Sequence, residues 1–216
     1  MFKGFLLGLV FANGFEWIAH KYILHGTHRK VKPRFSPVPR SMKSHWAHHR
    51  EVRTEHFHDA GYVEGISNWR TKNEIVSLVI VAGAASLVFY PISKGMVVAA
   101  LYSAGNYYYI HRRAHLEPEW AKKKIPWHYD HHMNANQDAN WCVTKPWFDY
   151  LLGTRVISSA ALQEQNPLGL ALPKAWSRWM TEKVNHYFPA QLLDLSLQPK
   201  FSLQHKLSAQ PRLSLK

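Results

Sequence analysis

Three stretches of this chain are apolar over lengths that suit helices crossing a bilayer, and the segments between them are polar and basic. Met1 to Ala19 is nearly continuous apolar sequence headed by Lys3. Such a run is either a signal peptide or a first membrane helix. Here it passes through Glu16 and Trp17 into His20 and His25 with no small-residue cleavage site before a fresh domain, which favours the helix. Glu74 to Ile92 and Lys94 to Ile110 are separated by Pro91 and a Ser-Lys-Gly turn, and they read as a helical hairpin. Small residues at Gly83, Ala84, Ala85 and Ser86, and at Ala99, Ala100, Ser103, Ala104 and Gly105, predict a close approach of its two arms. A buried hairpin in a soluble bundle would carry the same pattern.

From Gly26 to Lys72 the chain is strongly basic, and Pro33, Pro37 and Pro39 break its start, so it does not lie in hydrocarbon. The turn at 91–95 carries only Lys94, whereas the loop at 26–73 and the segment from His111 to Arg155 hold most of the cations. Positive charge retained inside places those two segments in the cytoplasm, with the first residues outside and the C-terminal region inside. Tyr107, Tyr108, Tyr109, Trp120 and Trp127 are either aromatic anchors at the interface or ordinary core aromatics. Near the end, Leu195, Phe201, Leu207 and Leu213 open a six-residue repeat, too short for a solenoid of helical hairpins. The expected organisation is a membrane domain over 1–185, with spans near 1–19, 74–92 and 94–110, and a basic repetitive tail over 186–216 without chemistry of its own. The fold class expected is all-α: an integral membrane helical bundle with a cytosolic histidine-rich cap that binds two metals.

The net charge of +13 points to phosphates or anionic lipid headgroups; without a base-reading motif, no nucleic-acid partner is expected. The single cysteine, Cys142, excludes an internal disulfide and a four-thiolate zinc site. Histidine is the outlier, with 15 residues in 216. Ten of them form four clusters: His20-x4-His25, His45-x2-His48-His49, His111-x3-His115 and His128-x2-His131-His132. In an α-helix His45 and His49 lie about 40° apart and His48 about 60° to the other side, so one turn presents three imidazoles together. His111 and His115 also share a face. His20 and His25 would be about 140° apart, which makes them flank a site or serve two metals. Imidazole suits iron, copper and zinc, and ten rings exceed what one ion can use, so two ions are the natural count. His28, His56, His58, His186 and His205 fit no cluster.

The order H-x4-H, H-x2-H-H, H-x3-H, H-x2-H-H resembles the fatty acid hydroxylase and sterol desaturase superfamily, over roughly Glu16 to Arg155. The stretch from Asn140 to Arg155 is similar to the segment that closes over the metals in that family. The first half, through Glu16 to Gly26 and His45 to His49, also looks like the carotenoid ring hydroxylases of the same superfamily. The resemblance implies that His20, His25, His45, His48, His49, His111, His115, His128, His131 and His132 ligate two iron ions, which zinc can replace in a purified protein. It implies no catalytic residue beyond these ligands. Asp130 and Asp138 are candidates to accept imidazole N–H groups behind the ligands, and Asn140 to hold a metal-bound water or orient a ligand. Asp149 has a weaker role, and Gly153 permits a turn.

The implied activity is O2-dependent hydroxylation or desaturation of a membrane lipid, an acyl-type lipid ahead of a sterol or carotenoid. The chain carries no nucleotide, flavin or haem-carrier motif, so a separate reductase or ferredoxin-like electron donor is implied. The active site would face the cytoplasm, where Lys122, Lys123 and Lys124 offer a docking patch for an acidic carrier. The sequence leaves the oligomeric state open. A histidine-rich metal transporter or storage protein is the reading from another class; a zinc hydrolase ranks below it, since there is no H-E-x-x-H.

Overall fold

The structure, a computed structural model, describes residues 1–26, 40–157, 168–170 and 172–192. His28, His205 and the six-residue repeat from Leu195 onward lie outside the described residues.

The described chain is helical almost throughout. Helix α1 (Phe2–Ile18) runs straight into a π-helical turn, Ala19–Leu24; α2 is Arg40–Thr54, α3 Gly61–Glu64, α4 Trp69–Phe89 and α5 Lys94–Leu116. After these come α6 (Pro118–Lys124), α7 (Pro126–Met133), α8 (Trp147–Leu151) and α9 (Lys174–Tyr187). Two short strands, β1 (Val156–Ile157) and β2 (Gln191–Leu192), pair in parallel. The expected all-α class holds apart from this one pair.

Helix starts follow local chemistry. Asn68 caps α4 by accepting from the Arg70 N–H at 3.0 Å. Pro118 and Pro126 open α6 and α7, where a missing N–H costs nothing. The turn over 90–93 reverses the chain, so α4 and α5 form the predicted hairpin.

The hairpin arms α4 and α5 pack against each other, and α5 packs closely on α1 as well, where glycines permit it. A Cβ added at Gly8 would lie 2.5 Å from Ala99 Cβ, and one at Gly95 would meet the backbone of Gly4 and Phe5. Gly4 and Gly8 face Gly95 and Ala99 in the same order, so the two helices run parallel. By contrast, Cβ positions at Gly83 and Gly105 meet nothing within 4 Å. Ala84, Ala85, Ala100, Ser103 and Ala104 of the hairpin line a cavity, whereas Ala99 faces Gly8 of α1.

Buried residues are concentrated where α1, α4 and α5 meet the short helices. Val52, Phe57, Ala114, Ala121, Ile125 and Trp127 form a hydrophobic core there. Trp127 donates its Nε1–H to the Val143 carbonyl at 2.9 Å, so it is a core residue, whereas Tyr109 is exposed. Asn73 bonds Ser44 Oγ at 2.8 Å, joining α4 to α2. Arg53 holds the carbonyls of His132 and Asn134 at 2.9 and 3.0 Å, joining α2 to the end of α7.

Phe2–Leu24 and Trp69–Phe89 are long and apolar enough to cross a membrane, with 22% and 11% of their most apolar windows buried. Core helices of a soluble bundle would be mostly buried. The third expected span, in α5, does not reach that hydropathy among the described helices, because Asn106, three tyrosines and the histidine end dilute its apolar start. Helix α9 ends at Tyr187 and so crosses the boundary drawn at residue 185.

Candidate metal centre

The four clusters converge at one end of the bundle. Ligand nitrogens of His20, His25, His45, His49 and His131 form one buried group, and those of His48, His111, His115 and His132 a second. Within each group the atoms lie within 4.8 Å of one another. The groups adjoin: the His49 and His132 rings are 4.1 Å apart, centre to centre. His128, in neither group by that measure, brings its Nε2 to 3.2 Å from His115 Nε2.

The π-helical turn explains the first group. The His25 N–H donates to the His20 carbonyl at 3.0 Å, an i to i+5 bond that adds one residue to the turn and stacks position 25 over position 20. The 140° separation expected of an α-helix is thereby removed, and both imidazoles enter one group. Helix α2 divides its triple: His45 and His49 serve the first group, and His48 the second. Helix α7 does likewise with His131 and His132.

Hydrogen bonds fix which nitrogen of several rings faces inward. His20 Nδ1 lies 2.5 Å from the Trp141 carbonyl oxygen, His131 Nδ1 2.7 Å from that of Ala139, and His115 Nδ1 2.9 Å from that of Phe57. Carbonyl oxygens only accept, so these Nδ1 atoms carry the hydrogens and each Nε2 of a neutral ring presents a lone pair. His48 Nδ1 meets Asp59 Oδ2, and His111 Nδ1 meets Glu74 Oε1, each at 2.7 Å. Tyr62, buried against His115, donates its O–H to Glu74 Oε2 at 2.6 Å.

This arrangement fits metal ions. His20 Nε2 is 3.0 Å from His45 Nε2, His45 is 3.1 Å from His49, and His131 is 3.2 Å from His25 and 3.3 Å from His49. Ligands about 2.1 Å from a common ion stand about 3.0–3.4 Å apart at angles between 90° and tetrahedral. Converging lone pairs repel unless a cation lies between them. In the second group, Nε2 of His48, of His111 and of His132 is buried without a hydrogen-bond partner among the described residues. Burial pushes His45, His49, His128 and His132 well below the ordinary imidazole range, and His131 down to about 4, so these rings are neutral at pH 7 as ligands must be. Burial also lowers His48, against the opposing pull of Asp59. Asp59 would be raised by burial, but His48, Arg70 and the Gly61 N–H together hold it well below the usual carboxylate range.

Two of the residues expected behind the ligands, Asp138 and Asn140, are placed elsewhere. Asp138 is exposed and touches no histidine group; its N–H donates to Asn136. Asn140 is buried, but its side chain bonds the Val156 backbone and Arg155, at 2.8–3.0 Å, anchoring β1 rather than a ligand. Asp130 is buried and pairs with Arg155 at 3.2 Å. Asp59, Glu74 and Tyr62 were the missed residues. They stand 11, 37 and 49 positions from their histidine partners, and no local spacing marks them.

Asp149 has a definite position: it accepts the N–H groups of Trp141 and Cys142 at 2.8 and 2.9 Å and the Thr154 hydroxyl at 2.7 Å. It thereby holds the segment whose Trp141 carbonyl orients His20. Glu16 takes the next N–H groups, of Val143 and Thr144. Gly153 has φ +64°, the left-handed turn expected of it. His56 and His186 are exposed and His58 half-buried, outside both groups.

A cavity of about 680 Å³ opens between α1, α4 and α5. Gly8, Phe11, Ala85, Ala104 and Phe89 line its apolar part, and His20, His45, His48 and His111 its far end. Its lining includes Ile80 and Val88, which are exposed on the outer face of α4. No family model, curated protein or solved structure matches this chain.

Proposed function

We propose that the protein is a membrane-embedded di-iron oxygenase that uses O2 to hydroxylate or desaturate a lipid, an acyl-type lipid first. The observation that carries this reading is an apolar cavity between helices that ends on two adjoining groups of buried imidazoles. The chain's resemblance to the fatty acid hydroxylase and sterol desaturase superfamily, in the order and spacing of its histidine clusters, supports it.

In this reading α1, α4 and α5 span the bilayer and the histidine cap faces the cytoplasm. An acyl chain reaches the cavity sideways, past Ile80 and Val88, and its tail is held between α1, α4 and α5. His20, His25, His45, His49 and His131 would hold one ion, and His48, His111, His115 and His132 the other, with His128 beside the second. Bound iron supplies, with O2, the power to break an unactivated C–H bond, which no side chain has. Asp59 and Glu74 keep the Nε2 lone pairs of His48 and His111 aimed inward and offset positive charge at the second group. The apolar cavity wall excludes water. Hydroxylation places one oxygen atom in the lipid and releases the other as water, so two electrons must arrive from a separate reductase or ferredoxin-like carrier.

Lipid mass spectrometry of cells expressing the chain, beside a His48→Ala, His131→Ala variant, tests this, with iron measured on both purified proteins. A lipid heavier by one oxygen or lighter by two hydrogens, made only by the iron-loaded wild type, supports the reading and names the substrate as acyl lipid, sterol or carotenoid. Metal binding with no lipid change, even with an electron donor added, would favour metal storage or transport.

A further inference from the structure

Helix α9, Lys174–Tyr187, takes no part in the centre described above, and none of its residues is buried. Its sequence is two-sided. With about 100° between successive residues, Trp176, Trp179, Lys183 and Tyr187 fall within a sector of about 80°. Trp176 is 67% exposed, Trp179 57% and Tyr187 67%. A neighbouring face, made by Ser177, Met180, Thr181 and Val184, is half-buried. Three large aromatic rings are therefore displayed away from the side that the protein covers, and leaving them in water would be costly.

The tether of α9 shows what lies beside it. Four residues after Tyr187, Gln191 donates its N–H to the Arg155 carbonyl at 2.8 Å and its side-chain amide to the Gly153 carbonyl at 2.9 Å. Thr154, between these two, accepts the Trp17 indole N–H at 2.9 Å, in the last turn of α1. Four residues reach at most about 14 Å, so the C-terminal end of α9 is fixed close to the level at which α1 passes from its apolar run into the histidine cap. Leu151 and Leu152, just ahead of Gly153, are also exposed, at 53% and 48%. The helix carries Lys174, Arg178 and Lys183 against Glu182 alone. Trp and Tyr rings on one side with cations on the same short helix suit the boundary between acyl chains and anionic headgroups.

We infer that α9 is an interfacial helix that lies in the headgroup layer of an anionic membrane on the metal-centre side. Trp176, Trp179 and Tyr187 enter the boundary of the acyl region, Lys183 extends to the phosphates, and Arg178 faces water. This rests on the reading of α1 and α4 as membrane spans.

The test uses the full chain in vesicles of phosphatidylcholine and phosphatidylglycerol. An environment-sensitive fluorophore is placed by Lys183→Cys, Arg178→Cys or, as a reference on the span, Leu87→Cys, and is quenched by nitroxide lipids. Cys142 is buried and does not compete for label. Shallow nitroxides are expected to quench the label at 183 several-fold more than the one at 178, with deep nitroxides quenching the label at 87. Equal, weak quenching at 183 and 178 with strong quenching at 87 would overturn the interfacial helix and leave the spans standing. Weak quenching at 87 would overturn the spans, and the inference with them.

Discussion

His48 and His49 are neighbours in sequence but turn their imidazoles into different nitrogen groups. His48 Nδ1 is held by Asp59 at 2.7 Å and points its Nε2 to the second group, while His49 Nε2 lies 3.1 Å from His45 and 3.3 Å from His25 in the first. If each group binds its own ion, His48→Ala and His49→Ala each remove one of two metals, and not the same one. Metal analysis of the purified variants should give about one ion per chain for each and about none for the pair together. Loss of both ions in either single variant would mean that the groups act as one site.

Much of this site was legible in the sequence because residues at i and i+4 share one face of a helix. His45 with His49, and His111 with His115, are brought together as that spacing requires. The pairing of His20 with His25 was not legible, since nothing in Ala19–Leu24 announces i to i+5 bonding and an α-helix would separate them. Nor was the partition of each H-x2-H-H triple between two groups, which depends on helices α2 and α7 crossing at their junction. Asp59 and Glu74 were hidden because a carboxylate that orients a distant ring is chosen by tertiary packing, whereas Asp138 merely stood near the clusters in sequence. The apolar runs predicted α1, α4 and α5; that Ala84, Ala85, Ala100, Ser103 and Ala104 line a cavity was not legible, because it depends on how α1 packs against the hairpin.

Glu74 accepts from both His111 and Tyr62, so Glu74→Gln should keep the shape of the contact while removing its charge. Loss of such a partner typically costs about 10–100-fold in metal affinity. Competition with a chelator of known affinity should show that drop for one ion of two, with the other unchanged. Asp59→Asn should act on the same ion through His48. An unchanged affinity in both variants would remove the carboxylates from any role in binding.

Ala85 and Ala104 are half-buried and line the cavity from facing helices. Replacing Ala104 with Phe adds a ring to empty space and leaves all ten histidines in place. Lipid product should fall by at least about tenfold, the effect of roughly 1.4 kcal/mol or more on productive binding, while metal content stays at the wild-type level. If product formation is unaffected, the acyl chain does not use this cavity. If metal is lost as well, the substitution has reached the ligand helices and Ala85→Phe becomes the cleaner probe.

Acid should destabilise the metal-free protein earlier than carboxylate titration alone would allow. Burial drives the folded-state titration of His131 from the ordinary value near 6.5 to about 4, and holds His45, His49, His128 and His132 well below it. Below pH 6.5 the unfolded chain takes up protons that the folded chain refuses, so stability falls with pH by up to about 1.4 kcal/mol per unit for each such ring. For His131 the loss begins near pH 6.5 and is complete near pH 4, roughly 3 kcal/mol in all. Asp59, held low by His48 and Arg70, adds its own loss only under more acid conditions. Thermal melts of the metal-free chain at steps from pH 7.5 to 4.5 should therefore show a steady fall in Tm that starts near pH 6.5. His131→Gln should make the slope shallower. A flat profile down to pH 5 would mean that water reaches the rings and protonates them in the folded state, which is incompatible with a sealed pair of imidazole groups.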